Sequence, residues 1–203
     1  MKLLIKAAMI SVFIVGVVFA GDENSFRSAT VGFEVTRPGS WQFVTAEQNV
    51  ENLKNTKLND EEFRQLVIKY STVPLVAMMK YPDPFDDLNP SFKVNVKPFG
   101  QLKGVDPKQM LTMVSTHFWR LFQDFEVAQE PTDAVVSGIE SGYMRINYSA
   151  QTVDGRTFPT TFELWIVPRG DYFFMIGAGT REDETTGSRE EIQQILNTVR
   201  IQL

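Results

Sequence analysis

The 203-residue chain carries a formal net charge of −5 and contains no cysteine. An acidic protein repels phosphate backbones, so the charge argues against nucleic-acid binding. Without cysteine there are no disulfides and no thiolate ligands, and one histidine cannot complete a typical structural zinc site. The fold must therefore be held together by its apolar core alone.

The first 20 residues have the pattern of a secretory signal peptide. Lys2 and Lys6 precede an apolar run of about 14 residues that ends at the small residue Ala20. This run is shorter than the roughly 20 residues that a membrane-spanning helix needs. The pattern predicts a signal peptide over residues 1–20, and a product of residues 21–203 that is periplasmic or secreted, without stable membrane insertion. Retention of the segment as an anchor is the alternative.

Residues 29–44, ATVGFEVTRPGSWQFV, predict a β-hairpin. Apolar side chains alternate with polar or small ones over residues 31–35, which is typical of a half-buried strand. Residues 37–40 predict a type II turn with a positive φ at Gly39. The alternation resumes at Trp41 on a second strand, so the stretch is explained by a hairpin that places aromatic side chains in a core.

Helix and strand patterns alternate through the middle of the chain. Residues 46–71 predict a helix, whose weakly patterned first part, residues 46–58, is either a frayed helix or a loop. Asn59 with Glu62 has the spacing of a capping pair. Its apolar face consists of Phe63, Leu66, Val67 and Tyr70. Residues 73–81 and 91–99 predict strands, separated by a loop rich in proline and aspartate.

A second helix is predicted to begin at Asp106 and Pro107, because aspartate is a good N-cap and proline fits the first turn. It is predicted to end near Phe122. Its buried side is predicted to comprise Met110, Met113, Val114, Phe118 and Leu121.

The last third of the chain predicts a β-meander followed by a helix. Asp154 and Gly155 predict a two-residue hairpin turn with positive φ at both positions, and residues 168–171 predict another turn. Ser188 and Glu191 predict a capping box that opens a terminal helix. The buried side of this helix is predicted to comprise Ile192, Ile195, Leu196 and Val199.

These elements together predict an α+β fold. Strands joined by tight turns are antiparallel, and amphipathic helices need a sheet to cover. We therefore expect one antiparallel sheet with helices on one or both faces. No internal repeat or long linker interrupts residues 21–203, which favours a single domain.

The chemical motifs do not predict an active site. Gly177 and Gly179 follow a predicted strand as in a dinucleotide-binding turn, but Glu182 replaces the third glycine, and glycines closing an edge strand are the alternative. Ser141 is displaced by one position from a nucleophile elbow, and His117 lies next to the apolar side of a predicted helix. The sequence therefore predicts no catalytic, cofactor-binding or metal-binding residues, and no enzyme.

Two acidic clusters are the remaining chemical feature. They consist of Asp83, Asp86 and Asp87 and of Glu182, Asp183 and Glu184. Loop carboxylates can bind calcium, but no EF-hand pattern is present and charge runs usually face solvent. Solvated loops are therefore predicted. A carboxylate-based or metal-assisted hydrolase that uses these clusters is the alternative.

The beginning and the end of the predicted mature chain resemble one family. VGFEVTRPGSWQFV is similar to the G-[FY]-x-[FIV]-x-x-P-x-x-W pattern of the PsbP/Mog1-like superfamily, which includes small exported bacterial members. DYFFMIGAGTRED with REEIQQILNTVRI resembles that superfamily's ending of strand, acidic loop, helix and strand-like tail. The resemblance implies an α/β/α sandwich around a central antiparallel sheet over residues 21–203. It also implies a binding or scaffolding role without shared catalytic residues.

The export signal, the motifs and the resemblance predict a bacterial, non-enzymatic binding or accessory protein that acts through a protein partner without a cofactor. A small-ligand carrier is a third hypothesis, with a pocket lined by Trp41, Phe43, Trp119 and Trp165. A core position explains the same aromatic residues, because burying such a side chain stabilises a fold by roughly 1.5–3 kcal/mol.

Overall fold

The computed structural model describes residues 23–45, 47–48, 56–57 and 74–202, and for residues 56–57, 117 and 119–121 it describes the backbone alone. The helix predicted over residues 46–71 lies almost wholly outside these ranges. Outside them lie its capping pair and its apolar face, namely Asn59, Glu62, Phe63, Leu66, Val67 and Tyr70. Within that segment, residues 47–48 are helical, whereas Thr56–Lys57 form a short strand rather than part of a helix.

The described residues form eleven strands and two α-helices. The strands are β1 (Ser25–Ser28), β2 (Phe33–Thr36), β3 (Gln42–Phe43), β4 (Thr56–Lys57), β5 (Val76–Met79), β6 (Ser91–Pro98), β7 (Gln123–Val136), β8 (Ile139–Thr152), β9 (Thr157–Arg169), β10 (Tyr172–Arg181) and β11 (Arg200–Ile201). The helices are α1 (Pro107–Leu121) and α2 (Arg189–Thr198), and a 3-10 helix spans Gly100–Leu102.

The strands form two sheets rather than the single sheet predicted. The smaller has the order β1-β2-β11, and the larger has the order β3-β5-β6-β10-β9-β8, with β7 and the short β4 both pairing with β8. All these pairs are antiparallel, as the tight turns require. The predicted α+β class is therefore confirmed.

Residues 29–44 do not form the predicted hairpin. β2 pairs with β1 and β11 in the smaller sheet, whereas β3 pairs with β5 in the larger one. A turn is present and is closed by the Trp41 N–H, which donates to the Pro38 carbonyl at 2.9 Å, but Gly39 does not adopt a positive φ. This turn starts one residue later than predicted, and it carries the chain from one sheet to the other.

The predicted turn between β8 and β9 is present with a different geometry. Gly155 has a φ of 90°, but Asp154 does not adopt a positive φ, and the loop extends over residues 153–156. A two-residue turn with positive φ at both positions occurs instead between β7 and β8, at Ser137 (54°) and Gly138 (78°). The turn predicted over residues 168–171 is confirmed between β9 and β10.

The cap of α1 is confirmed, and its buried side is confirmed in part. The Asp106 carboxylate accepts hydrogen bonds from the N–H groups of Lys108 and Gln109. Met110 is buried, whereas Met113 is 52% exposed, so its predicted burial is wrong. The buried stripe of α1 comprises Met110, Leu111, Val114 and Phe118, and Leu111 is fully buried. At 100° per residue, Met113 lies roughly 115° around the helix from the centre of this stripe. Val114 and Phe118 are partly buried and pack against the core. The side chain of Leu121 is not among those that the structure describes.

The terminal helix α2 begins as predicted. The Ser188 hydroxyl accepts from the Glu191 N–H, and the Glu191 carboxylate accepts from the Ser188 N–H, which completes the capping box. The predicted buried side, Ile192, Ile195, Leu196 and Val199, is confirmed. In the part of the chain that the structure describes, no helix is long and apolar enough to span a membrane.

Two apolar clusters lie on opposite faces of the larger sheet. Along β9, Trp165 and Val167 belong to one cluster and Leu164 and Ile166 to the other, because successive side chains of a strand point to opposite faces. The first cluster includes the buried side of α2 and the inner residues of the smaller sheet. The second includes the buried side of α1. The sheet is thus covered by a helix on each face.

The start of α1 lies directly on β8. A Cβ at Gly142 would come within 2.8 Å of the Pro107 backbone, so only glycine permits this approach.

Trp41→Ala is expected to lower the free energy of unfolding by about 3–5 kcal/mol, because Trp41 is 1% exposed and its loss leaves a large cavity. Urea denaturation measures the change. The exposed Val153 provides the control, since Val153→Ala should change stability by less than about 0.5 kcal/mol. A near-neutral Trp41→Ala variant would contradict the core position of the indole.

Candidate functional site

Two loops meet at the end of the larger sheet, next to the start of α2. Residues 80–90 join β5 to β6, and residues 182–188 join β10 to α2. They lie side by side because the first residues of β6 pair with the last residues of β10. We call their shared surface the acidic platform. Its exposed carboxylate side chains are Asp83, Asp86, Glu182, Asp183 and Glu184.

Hydrogen bonds join the two loops of the acidic platform. The Tyr81 hydroxyl donates to the Thr186 carbonyl at 2.8 Å. The hydroxyl of Thr186, a buried residue, donates to the Leu88 carbonyl at 2.9 Å. Asn89 donates to the Tyr81 carbonyl and accepts from the Tyr81 N–H, which closes the first loop on itself. The exposed carboxylates therefore sit on a preorganised backbone.

Arg181 bridges the loops by charge. One Nη donates to Asp87 of the first loop at 2.9 Å, and the other donates to Asp183 of the second at 2.8 Å. Hydrogen bonds from Arg181 and Thr185 hold the pKa of Asp183 below its usual value. Arg181 thereby fixes carboxylates that would otherwise repel each other.

The β8–β9 hairpin supports the same surface from the side. Arg156 donates to the backbone carbonyl of Asp86 at 2.8 Å. Asn147 donates to the Glu182 carboxylate at 3.0 Å. Each loop is therefore also connected to the larger sheet.

An ion pair connects the first loop to α2. Lys80 Nζ lies 2.9 Å from the Glu191 carboxylate, which also completes the capping box with Ser188. Burial alone would raise the pKa of Glu191, but the hydrogen bonds from Lys80 and Ser188 outweigh it and the pKa lies below its usual value. The Trp41 indole N–H helps to lower this pKa, although it makes no hydrogen bond of good geometry.

A buried carboxylate lies beneath the start of α2. Glu163 on β9 is 2% exposed, and Arg189 donates to it with Nε at 3.3 Å and Nη2 at 3.2 Å. The Tyr143 hydroxyl donates to the same carboxylate. Burial and this hydrogen bond raise the pKa of Tyr143 to about 12, so the phenol remains a donor at neutral pH. The network attaches the first residue of α2 to the sheet.

The glycines considered for a dinucleotide-binding turn do not form a turn. Gly177 and Gly179 lie inside β10, which pairs with β6 on one side and β9 on the other. The alternative interpretation, glycines that close an edge strand, is wrong for the same reason. A Cβ at Gly177 would lie 3.0 Å from the Phe162 ring, so glycine makes room for this aromatic side chain.

The residues considered for catalysis do not form a nucleophile site in the described part of the chain. Ser141 is buried, and its hydroxyl donates to the Ile139 carbonyl. His117 lies on α1 as predicted, but its side chain lies outside the description.

The aromatic residues considered for a ligand pocket lie mainly in the core. Trp41 and Trp165 are buried in the cluster under α2, and Phe43 packs against that cluster. The side chain of Trp119 lies outside the description. These positions agree with the interpretation of the aromatics as core.

The fold brings the two acidic clusters together, a contact that was not among the predictions from the sequence. The signal was present, because one cluster follows β5 and the other follows β10, and both strands flank β6. Within the described residues, no group of three or more His, Cys, Asp and Glu side chains is arranged to hold a metal ion. The platform is a charged surface on which Arg181 neutralises part of the charge.

Comparisons with known proteins identify the fold. No protein-family model matches the sequence, and no curated protein is similar to it in sequence. The structure of LpqN from Mycobacterium tuberculosis aligns with a TM-score of 0.51 at 13% identity, covering 84% of this chain and 83% of LpqN. PsbP of Synechocystis sp. PCC 6803 gives 0.49 at 10% identity, with 93% and 99% covered. The Ran-binding protein Mog1p of Saccharomyces cerevisiae gives 0.47 at 10% identity, with 89% and 95% covered.

The chain shares the fold of LpqN. PsbP and Mog1p, after which the resemblance in the sequence motifs is named, are among the structures similar to it. A structure from Bacteroides thetaiotaomicron aligns with a TM-score of 0.48 at 14% identity and 89% of this chain, which spans about half (48%) of that protein. At these identities the likeness concerns the fold alone.

Arg189→Met is expected to destabilise the protein by about 2–4 kcal/mol, because it leaves Glu163 as a buried charge without its cation. Urea denaturation of a double-mutant cycle tests this. The variant with both Arg189→Met and Glu163→Gln should be more stable than Arg189→Met alone, since no buried charge then remains. Additive losses would show that the two side chains are not coupled.

Tyr143→Phe is expected to reduce the loss of stability in alkaline solution. Folding raises the pKa of Tyr143 from 10.0 to about 12, so the neutral phenol favours the folded state. This contribution is fully present below pH 10 and is lost as the pH rises towards 12. The free energy of unfolding should therefore fall less steeply over this range in Tyr143→Phe than in the unmodified chain. Equal slopes would contradict the assignment.

Proposed function

We propose that this chain is an exported, non-enzymatic binding or accessory protein that acts through a protein partner, and that the acidic platform is its docking surface. We assign the α/β/α sandwich of the PsbP/Mog1-like fold to this chain. The observation that carries the proposal is the set of exposed carboxylates held on two loops that are fixed to each other and to the sheet.

The charge of the platform supports a basic partner. The cationic side chains of this region are used internally, because Lys80 pairs with Glu191, Arg181 with Asp87 and Asp183, and Arg189 with Glu163. Asp83, Asp86 and Glu184 are exposed and form no ion pair within the described residues. Complementary charge speeds association and favours the matching partner over others. A surface rich in lysine and arginine is the partner chemistry that fits.

The preorganisation of the platform supports binding rather than mere solvation. A partner that docks on flexible loops loses affinity to the ordering of those loops. Here the backbone of both loops is already held by Tyr81, Thr186 and Arg181. Docking would therefore cost little conformational entropy.

An envelope location also supports the proposal. The sequence predicts export, and LpqN, which shares the fold, is described as involved in cell envelope biogenesis. We propose the same envelope location for this chain, and we expect the identity of the partner to determine its specific role. The hydrolase alternative gains no support, because Asp87 and Asp183, one from each acidic cluster, are already held by Arg181 and Thr185.

Neutralising the platform is expected to weaken partner binding at least about tenfold, which corresponds to about 1.4 kcal/mol. The variant Asp83→Asn, Asp86→Asn, Glu184→Gln removes three exposed charges. Proteins crosslinked to the unmodified chain in envelope extract are identified, and the affinity of the purified partner is then measured at two salt concentrations.

The control variant is Glu126→Gln, Glu130→Gln, Glu140→Gln, which removes the same charge from exposed positions on β7 and β8. It should bind the partner as the unmodified chain does. Equal losses in both variants, or turnover of a substrate without any stoichiometric partner, would overturn the proposal.

A further inference from the structure

The smaller sheet begins with β1, the described element that follows the N-terminal apolar segment most closely in sequence. That segment ends at Ala20, and the Asn24 carbonyl already accepts a hydrogen bond from the Arg37 N–H at 2.8 Å. The chain between these two residues can extend to about 14 Å at most, at roughly 3.6 Å per residue. While residues 1–20 remain attached and lie in a bilayer, the start of the smaller sheet can therefore lie no more than about 14 Å from the point where the segment leaves the bilayer.

The outer face of the smaller sheet carries a row of charged residues. Arg27 on β1 and Arg200 on β11 both pair in register with Glu34 on β2, so the three side chains lie side by side across the sheet. Their neighbours Phe33 and Ile201 are buried in the core, which places the row on the opposite, outer face. We call these three residues the arginine row.

Both arginines of the row remain available for an anion. Arg27 and Arg200 are exposed, and neither forms an ion pair with Glu34 in the described part of the chain. Arg200 donates only to neutral carbonyls, those of Asn197 and Val199, and so keeps its full charge. A shallow depression lies between them, lined by Ser28, Gly32, Glu34 and Gln202. Arg169 lies beside it and donates to the Gln202 carbonyl at 2.7 Å.

The arginine row and the acidic platform lie at opposite ends of α2. The platform loop leads into Arg189, the first residue of α2, whereas β11 with Arg200 follows its last residue. The helix has 10 residues and therefore spans about 15 Å. The domain is thus electrically polar along this axis.

We propose that, while residues 1–20 remain attached, the arginine row rests on anionic phospholipid headgroups and thereby turns the acidic platform away from the membrane. Lipid is the occupant that the short connection to the apolar segment selects. Attraction between arginine and an anionic surface decays within about 8–10 Å, a distance that lies inside the reach of about 14 Å that the connection allows. This orientation goes beyond the proposed function and does not depend on the identity of the partner.

The test uses the full chain, with residues 1–20 attached, in vesicles of phosphatidylcholine with or without phosphatidylglycerol. The chain contains no cysteine, so single labelling sites can be introduced. Ala29→Cys places a fluorophore at the edge of the smaller sheet, and Glu184→Cys places it on the acidic platform; both positions are exposed. A lipid with a nitroxide on its headgroup reports proximity by quenching.

With phosphatidylglycerol present, the Ala29→Cys label should be quenched at least about threefold more than the Glu184→Cys label. Arg27→Gln and Arg200→Gln should each reduce this ratio, and together they should bring it to the value in phosphatidylcholine alone. Lys108→Gln, at the start of α1 on the opposite face of the larger sheet, removes one positive charge that belongs to neither surface; it is the control and should leave the ratio unchanged. Thermal unfolding verifies that all variants remain folded.

Equal quenching of the two labels would overturn the proposal. So would a ratio that is the same with and without phosphatidylglycerol, or an effect of Lys108→Gln as large as that of Arg27→Gln.

Discussion

Burial of apolar side chains on both faces of the larger sheet is the constraint on which the rest of the structure depends. The chain has no disulfide, so the sheet must be covered on each side by packing alone. β9 shows the consequence, because Leu164, Trp165, Ile166 and Val167 are buried in succession with alternate residues in opposite clusters. A strand buried on both faces needs a helix on each side, and α1 and α2 supply them.

Glu163 is the charged residue that is buried in this strand, and it connects the core to the surface. A buried carboxylate is stable only with partners, and Arg189 and Tyr143 provide them. Since Arg189 is the first residue of α2, the same contact fixes where the helix begins. The position of the acidic platform thus follows from a polar interaction inside the core.

The two charged surfaces flank the same helix, although neither is part of the apolar core. α2 separates the platform from the arginine row, and both are attached to the helix through residues next to its ends, Ser188 and Arg200. A fold of this kind does not by itself specify a function, because function depends on the surfaces that a particular chain displays. In this chain the acidic platform and the arginine row differ in sign of charge, so a charged surface nearby orients the domain.

The sequence by itself determined the helix caps, the periodicity and the absence of disulfides. The caps at Asp106 and at Ser188 with Glu191 were predictable because a cap satisfies backbone groups within one turn of itself. The alternation in β6 was predictable for a similar reason, since Phe92 and Val94 share a face in any strand.

Only the tertiary structure decided which strands pair and which loops meet. Residues 33–36 favour a strand, but their partner β11 lies at the far end of the chain, so the predicted local hairpin did not form. The acidic clusters met because β5 and β10 both flank β6, and Met113 was exposed because the buried stripe of α1 is centred elsewhere. Caps and periodicity act between neighbours in sequence, whereas pairing is settled by competition for burial among segments far apart in the chain.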